Sequence, residues 1–157
     1  MQLTPIGLIH SPFSDLAQMP IQPTGAAGVK GRIELDPALT EGLKDLDGFS
    51  HIFVLYHFHR AAPARLQVTP FLDTEPHGIF ATRAPTRPNP IGLSVLKLNE
   101  VRGSTLIVEN VDILDGTPLL DIKPYVPAFD QPTAVRSGWL QGAADAVKRT
   151  TSDDRFG

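Results

Sequence analysis

The apolar residues of this chain occur in short runs, and that pattern limits the folds it can adopt. Seven runs rich in β-branched and aromatic residues end at turn-forming residues. They are LTPIGLIH, GVKGRIEL, HIFVLYHFH, RLQVTPFL, GIFAT, LSVLKLNEV and TLIVENVDIL. Between the last two, VRGST is typical of a hairpin turn. Short strands separated by glycine and proline predict a mainly β domain, built as a barrel or a sandwich.

Helical signals are few. One helix is predicted at about residues 37 to 46, because Asp36 can cap it and Pro37 suits the first helical position. Leu39, Leu43 and Leu46 would share one face of that helix. A second short helix is predicted within SGWLQGAADAVKR, followed by a frayed polar tail, TTSDDRFG.

Composition excludes several classes of protein. The 157 residues suit one domain, and the lack of cysteine removes disulfide scaffolds, thiol nucleophiles and Cys-zinc sites. No apolar stretch approaches the roughly 20 residues of a membrane helix, and we expect a soluble, cytoplasmic protein. A net charge of −3 argues against a broad basic surface for nucleic acid. It leaves room for a local basic groove that includes Arg60, Arg65, Arg83 and Arg87.

The stretch ATRAPTRPNPIGLS, residues 81 to 94, is a candidate binding loop. Its three prolines exclude a helix or a central strand and stiffen the backbone. A stiff loop can hold the guanidinium groups of Arg83 and Arg87 in place, which suits an anionic ligand. The alternative is a surface loop whose arginines only pair with Asp or Glu.

A second candidate is DILDGTPLLDIKPYVPAFD, residues 112 to 130. Asp115 and Gly116 predict a turn, after which Asp121, Lys123 and Tyr125 alternate on one face of an extended segment. An acid, a cation and a phenol on one face could serve catalysis. The alternative is a solvated strand face with a weak salt bridge.

The histidines of HIFVLYHFHR form a third candidate. His57 and His59 would point to the same side of a strand, a spacing that can bind a metal. A glutamate at the close spacing that a cupin barrel requires is missing, so polar lining of a cleft is the preferred interpretation. Glycine-rich phosphate loops, zinc motifs and a nucleophile elbow are absent from the sequence.

Four blocks of the sequence resemble the TsaA/TrmO-like family. They are IGLIHSPF, LDGFSHIFVLYHFHR, GIFATRAPTRPNPIGLSVLKL and VDILDGTPLLDIKPYVPAFD, in the family's order. The resemblance covers residues 4–130 and implies a single TsaA-like β-barrel domain with one or two short helices, leaving 131–157 as a C-terminal extension. Members of this family are S-adenosylmethionine-dependent tRNA methyltransferases that lack a Rossmann-type sheet.

The resemblance also implies functions for particular residues. It implies a homodimer that methylates N6 of threonylcarbamoyl-adenosine beside the anticodon of certain tRNAs. The cofactor contacts would be Gln22, Pro23, Thr24, His59, Arg60, Arg83, Leu93, Asp115, Gly116, Thr117 and Pro118. Arg87 and Asn89 are candidate substrate contacts, and no metal is expected.

The acylated target nitrogen is a weak nucleophile, so a group that helps it to lose its proton is expected. Asp121, Lys123 and Tyr125 are the candidates, as a base or as groups that stabilise negative charge on the carbamoyl oxygen. Two other functions stay open. One is a non-catalytic module that binds S-adenosylmethionine or a nucleotide, and the other is a metal-dependent barrel enzyme that uses His57 and His59.

Overall fold

The structure is a computed structural model that describes residues 1–17, 19–21, 23–141 and 151. Of the predictions above, the one for Gln22 lies outside the described residues. Most of the predicted second helix and nearly all of the predicted frayed tail also lie outside them. The described part of the second helix, Gly138–Leu140, is a short 3-10 turn.

Six strands form a closed barrel in which every neighbouring pair is antiparallel. In chain order the strands are β1 (Gly7–His10), β2 (Lys30–Leu35), β3 (His51–His57), β4 (Gln67–Val68), β5 (His77–Gly78), β6 (Ile91–Arg102), β7 (Thr105–Glu109) and β8 (Thr117–Pro124). The barrel order is β1-β2-β7-β6-β3-β8, while β4 and β5 pair only with each other. The predicted mainly β barrel is confirmed.

Alternation along the strands fills the barrel interior. On β3, Ile52, Val54 and Tyr56 are buried, whereas Phe53 and Leu55 are only partly covered on the outer face. The same alternation on the other strands buries a continuous core, with Ile9, Ile33, Leu96, Leu106, Val108 and Leu119 almost fully enclosed. The β-branched and aromatic runs therefore fold as strands because one face of each can be removed from water.

The predicted hairpin at VRGST joins β6 to β7. Gly103 has a φ of 59°, which glycine adopts without the steric cost that a side chain would add. The register between the two strands shifts between Leu98 and Glu100, which is a β-bulge next to the hairpin.

The predicted helix at 37 to 46 forms as two 3-10 segments, Pro37–Leu43 and Leu46–Gly48. Asp36 caps the first segment as expected, accepting a hydrogen bond from the Ala38 N–H at 2.9 Å. Asp45 interrupts the pattern because its φ of 66° is left-handed and incompatible with a continuous helix. The only described α-helical turn is α1 (Pro127–Asp130). Within the described residues, no helix is long and apolar enough to cross a membrane.

Residues 58–90 make a long connection between β3 and β6. Here the sequence interpretation was wrong in part: of RLQVTPFL only Gln67–Val68 is a strand, and GIFAT is mostly a 3-10 turn, Ile79–Ala81. The connection has its own small core, formed by Val68 and Ile79 with Phe71 and Ala84 packed against them. This core and the short β4–β5 pair hold the proline-rich stretch.

Gly92 sets the position of Tyr56 inside the barrel. A Cβ on Gly92 would collide with the Tyr56 ring, so the ring lies where a side chain at position 92 would be. We predict that Gly92→Ala lowers the free energy of unfolding by about 1–3 kcal/mol, the usual cost of overpacking a core. Gly42→Ala is the matched control, because a Cβ there meets nothing within 4 Å. Urea unfolding of both variants checks this, and equal stabilities would contradict the role of Gly92.

Candidate functional site

One large cavity is lined jointly by the 58–90 connection and the barrel. Its volume is about 1170 Å³, above the roughly 300–1,000 Å³ of an ordinary small-molecule site. Strands β3 and β6 contribute Tyr56, Gly92 and Leu93, and the β7–β8 connection contributes Asp112. The remaining lining comes from three other segments, with Met19, Pro20, Ile21, Phe71, Phe80, Thr82, Trp139 and Leu140 among its members.

The charged part of the lining is mostly basic. Among the described lining residues, Arg60, Arg83 and Arg87 are cationic and Asp112 is the only carboxylate. His59 also lines the cavity, and burial lowers the pKa of its imidazole, which favours the neutral form. The acidic chain therefore has a locally positive cavity, as the sequence interpretation allowed.

Asp112 ends a hydrogen-bonded chain that begins inside the barrel. The Ser94 hydroxyl donates to Asp112 Oδ1 at 2.8 Å, and the Tyr56 hydroxyl lies 3.1 Å from Ser94 Oγ. When Asp112 is ionised, Ser94 gives its one proton to the carboxylate and Tyr56 donates to Ser94. Tyr56 can do so because burial, and then the charge of Asp112, raise the pKa of its phenol.

The environment of Asp112 strongly raises the pKa of its carboxyl. Burial raises the pKa of Asp112 to about 6, and the Ser94 hydrogen bond and the charge of Arg83 offset only part of that effect. The carboxyl is thus poised to gain or lose a proton near neutral pH. Such groups are often found at functional sites.

Arg87 braces the proline-rich stretch. Its Nη1 donates to the carbonyl oxygens of Ile79, Thr82 and Ala84 at 3.2, 2.8 and 3.3 Å. The guanidinium carbon also lies 5.9 Å from the centre of the Phe80 ring, a cation–π distance. Arg83 acts on different groups, because its charge offsets part of the rise in the pKa values of Asp112 and Tyr56.

Hydrogen bonds join the predicted turn at Asp115 to the last residue of β1 and to the residue after it. The Asp115 carboxylate accepts from the Ser11 N–H at 3.1 Å and lies 3.2 Å from Nδ1 of His10. Burial alone would raise the pKa of this carboxyl, yet these hydrogen bonds hold it below its ordinary value. Gly116 has a φ of 73°, and the Thr117 hydroxyl donates to the Leu114 carbonyl at 2.7 Å.

The predicted cofactor contacts fall into three groups. His59, Arg60, Arg83, Leu93 and Thr117 line the cavity together. Asp115, Gly116 and Pro118 flank Thr117 in the turn and at the start of β8, outside the described lining. Pro23 and Thr24 lie in a short 3-10 helix, Pro23–Ala26, two residues beyond the lining residue Ile21. Of the two substrate candidates, Arg87 lines the cavity and Asn89 does not.

Asp121, Lys123 and Tyr125 do share one face, as the alternation predicted. The Lys123 Nζ is 2.8 Å from Asp121 Oδ2, and the Tyr125 ring packs edge-on against Phe53 at 5.4 Å. That face is the outside of the barrel, and none of the three belongs to the described cavity lining. The contacts that the structure shows for them are this salt bridge and the packing of the Tyr125 ring, both on a partly exposed face.

The histidines are separated by the end of β3. His57 is exposed at the last position of the strand, whereas His59 lies in the turn that follows and lines the cavity. In the part of the chain that the structure describes, no three potential metal ligands of the types His, Asp and Glu come together.

Two residues that line the cavity, Asp112 and Trp139, were not predicted from the sequence. Asp112 sits three residues before a turn, and nothing in its local sequence indicates that Ser94 approaches it. Trp139 belongs to the C-terminal extension, but its indole Nε1 donates to the Ala81 carbonyl at 2.8 Å and its ring stacks on His77. Only the fold brings these distant parts of the chain together.

The structure is a closed six-stranded barrel beside a cavity whose charged lining residues are mostly basic. A sequence profile of the tRNA-methyltransferase O N-terminal domain matches residues 8–131. The chain belongs to this family.

Relatives share this region at high identity. A probable S-adenosyl-L-methionine-binding protein of Pyrococcus abyssi is 53% identical over 152 residues, which are 97% of this chain and 83% of the relative. The tRNA (adenine(37)-N6)-methyltransferase of Homo sapiens is 36% identical over 141 residues, 83% of this chain but 31% of the human protein.

Solved structures agree with the barrel. The crystal structure of TrmO from Pseudomonas aeruginosa matches with a TM-score of 0.75 at 39% identity, covering 88% of this chain and 62% of that chain. The chain thus spans less than two thirds of the human and Pseudomonas proteins.

The raised pKa of Asp112 predicts a pH-dependent stability. The folded protein holds this proton more tightly than the unfolded chain, whose pKa is near 3.8. The resulting stabilisation is full below that value and is lost as the pH rises to about 6. We expect Asp112→Asn to unfold about 1–3 kcal/mol less readily than the parent at pH 7.5, with that gain absent at pH 4.

Urea unfolding at the two pH values measures the difference. Asp47→Asn, on an exposed carboxylate in the Leu46–Gly48 segment, is the matched control for replacing an acid by its amide. A stability difference for Asp112→Asn that is equal at pH 4 and pH 7.5 would contradict the assigned pKa shift.

Proposed function

We propose that this protein transfers the methyl group of S-adenosylmethionine to N6 of an adenine in tRNA. The observation that carries the proposal is the cavity of a tRNA-methyltransferase O-type barrel, where Arg83 and the partly buried Asp112 lie near each other between apolar walls. The human relative is named for adenine-37 N6 methylation, and the Pyrococcus relative for binding S-adenosyl-L-methionine.

The cavity suits the chemistry of that methyl donor. The donor carries a carboxylate, an ammonium, a sulfonium and an adenine, so its site needs a cation, polar acceptors and an apolar slot. Arg83 can pair with the carboxylate as a planar two-point donor. Leu93, Phe71 and Phe80 give apolar surface for the adenine and the thioether carbons.

The volume of the cavity supports binding of two ligands. At about 1170 Å³ it exceeds what one nucleoside-sized molecule fills, which leaves room for a target base beside the donor. The target adenine must leave the stack of neighbouring tRNA bases before it can enter such a pocket. We infer threonylcarbamoyl-adenosine beside the anticodon as the target, on the family resemblance, with Arg60 and Arg87 near the phosphates.

A non-catalytic module that binds S-adenosylmethionine is the second candidate. The name of the Pyrococcus relative favours it, because that name describes binding and no reaction. Transfer of a labelled methyl group to tRNA separates the two functions. The proposed enzyme yields methylated adenosine in digested tRNA by mass spectrometry, whereas a binding module retains the donor and yields none.

A homodimer is the proposed assembly. On the outer face of β3 and β6, Phe53 lies opposite Val95 and Leu55 opposite Leu93. These apolar pairs are partly or largely exposed, which is unusual for a barrel surface and suits a self-complementary interface. Val95 and Leu93 also line the cavity, so a second copy would sit at its edge.

The dimer predicts the effect of a charge in this face. Leu55→Glu should give a sedimentation mass of one chain, 17.0 kDa, while the parent sediments at twice that value. Leu39→Glu alters an exposed leucine of a different segment and should leave the dimer intact. A parent protein that sediments as a monomer at micromolar concentration would remove the proposal.

Arg83 is the residue whose loss should weaken binding of the donor most clearly. We expect Arg83→Ala to cost about 1.5–3 kcal/mol of affinity, one to two decades in dissociation constant. Arg83→Lys should recover only part, since lysine keeps the charge without the planar fork. Arg65→Ala, outside the described lining but in the same connection, is the control for calorimetry. An unchanged constant for Arg83→Ala would take Arg83 out of the donor site.

A further inference from the structure

Few groups in the cavity can accept a proton at neutral pH. Of the described lining residues, the three arginines stay charged, and the phenol of Tyr56 stays protonated because its pKa is raised. Asp112 and His59 remain. The carboxylate of Asp115 is held by His10 and Ser11 outside the lining, and Asp121 is paired with Lys123 on the outer face.

We propose that Asp112 is the catalytic proton acceptor of the methyl transfer, oriented by the Tyr56–Ser94 chain. This inference rests on the proposed function. A carboxylate can accept about four hydrogen bonds, and the Ser94 hydroxyl and the backbone N–H of Asp112 use two of these positions. The remaining positions are available to the N–H of a target nitrogen in the cavity.

The step balances without a further reactant. The target nitrogen forms a bond to the methyl carbon as the carbon–sulfur bond breaks, and that electron pair stays on sulfur, which leaves as a neutral thioether. The proton of the nitrogen passes to the Asp112 carboxylate. The exocyclic nitrogen of adenine is weakly nucleophilic because its lone pair is delocalised, so an acceptor for its proton raises the rate.

The groups around Asp112 determine whether its carboxyl is ionised and can accept a proton. Ser94 faces it from β6, Tyr56 from β3 and Arg83 from the 58–90 connection. The carboxyl is enclosed enough to hold a proton after transfer, and close enough to Arg83 to be ionised beforehand at neutral pH. His59, also in the lining, is the competing base, so the test must separate the two.

The test measures methyl transfer to tRNA and donor binding across pH 5 to 9. The parent should show a rate that rises with pH through one acidic limb and then levels off. Asp112→Asn keeps the shape of the side chain and its acceptor for Ser94, so the donor should bind within about threefold of the parent affinity. Its maximal rate should fall at least about 100-fold, with the acidic limb gone.

Three more variants make the outcome specific. Ser94→Ala removes a hydrogen bond that lowers the pKa of Asp112, so its acidic limb should move to higher pH. His59→Gln should keep the limb. Asp121→Asn tests the competing assignment of the base to β8. The proposal is overturned if Asp112→Asn keeps its rate, if His59→Gln or Asp121→Asn abolishes the limb, or if Asp112→Asn loses donor affinity and keeps its saturated rate.

The same data distinguish failure of this inference from failure of the proposed function. A parent protein that binds the donor but methylates no tRNA overturns both. A parent that methylates tRNA alongside an equally active Asp112→Asn variant overturns only the role of Asp112. NMR titration of the Asp112 carboxyl carbon in the protein gives a readout besides activity, and a pKa at the ordinary value would also contradict the inference.

Discussion

The pairing of β8 with both β1 and β3 is the contact on which the rest of the structure depends. Gly7 of β1 lies opposite Leu119, and Val54 of β3 lies opposite Ile122, so one strand joins the two ends of the sheet into a barrel. Closure removes both sheet edges and buries the apolar interior. It also carries the β7–β8 connection to the place where Asp112 meets Ser94.

The barrel and the 58–90 connection contribute different kinds of residues to the cavity lining. The barrel supplies wall residues such as Tyr56, Gly92 and Leu93, while the 58–90 connection supplies all three arginines of the described lining. That connection is ordered without long strands, because Arg87 satisfies three of its carbonyl groups and the prolines limit its unfolded conformations. A stiff loop over a barrel end can hold a charged ligand with little loss of entropy on binding.

Much of the barrel was predictable from the sequence because most of its strands are short runs of β-branched and aromatic residues that end at turn-forming residues. The hairpin at Gly103 and the cap at Asp36 were likewise local signals. The break in the predicted helix at Asp45 was not predicted, because no signal in the local sequence distinguished Asp45 as a left-handed residue. In the candidate site, Arg83 and His59 were found from local motifs, whereas Asp112 was missed because its environment is made by residues far along the chain.

The central claim is that donor and proton acceptor meet in the cavity between Arg83 and Asp112. A crystal structure of the protein with S-adenosylhomocysteine, the thioether that remains after methyl transfer, tests it most directly. The account predicts the carboxylate of that molecule on the Arg83 guanidinium and its sulfur facing the space beside Asp112. Density for it on the outer face by Asp121 and Lys123, with the cavity holding only water, would contradict the account.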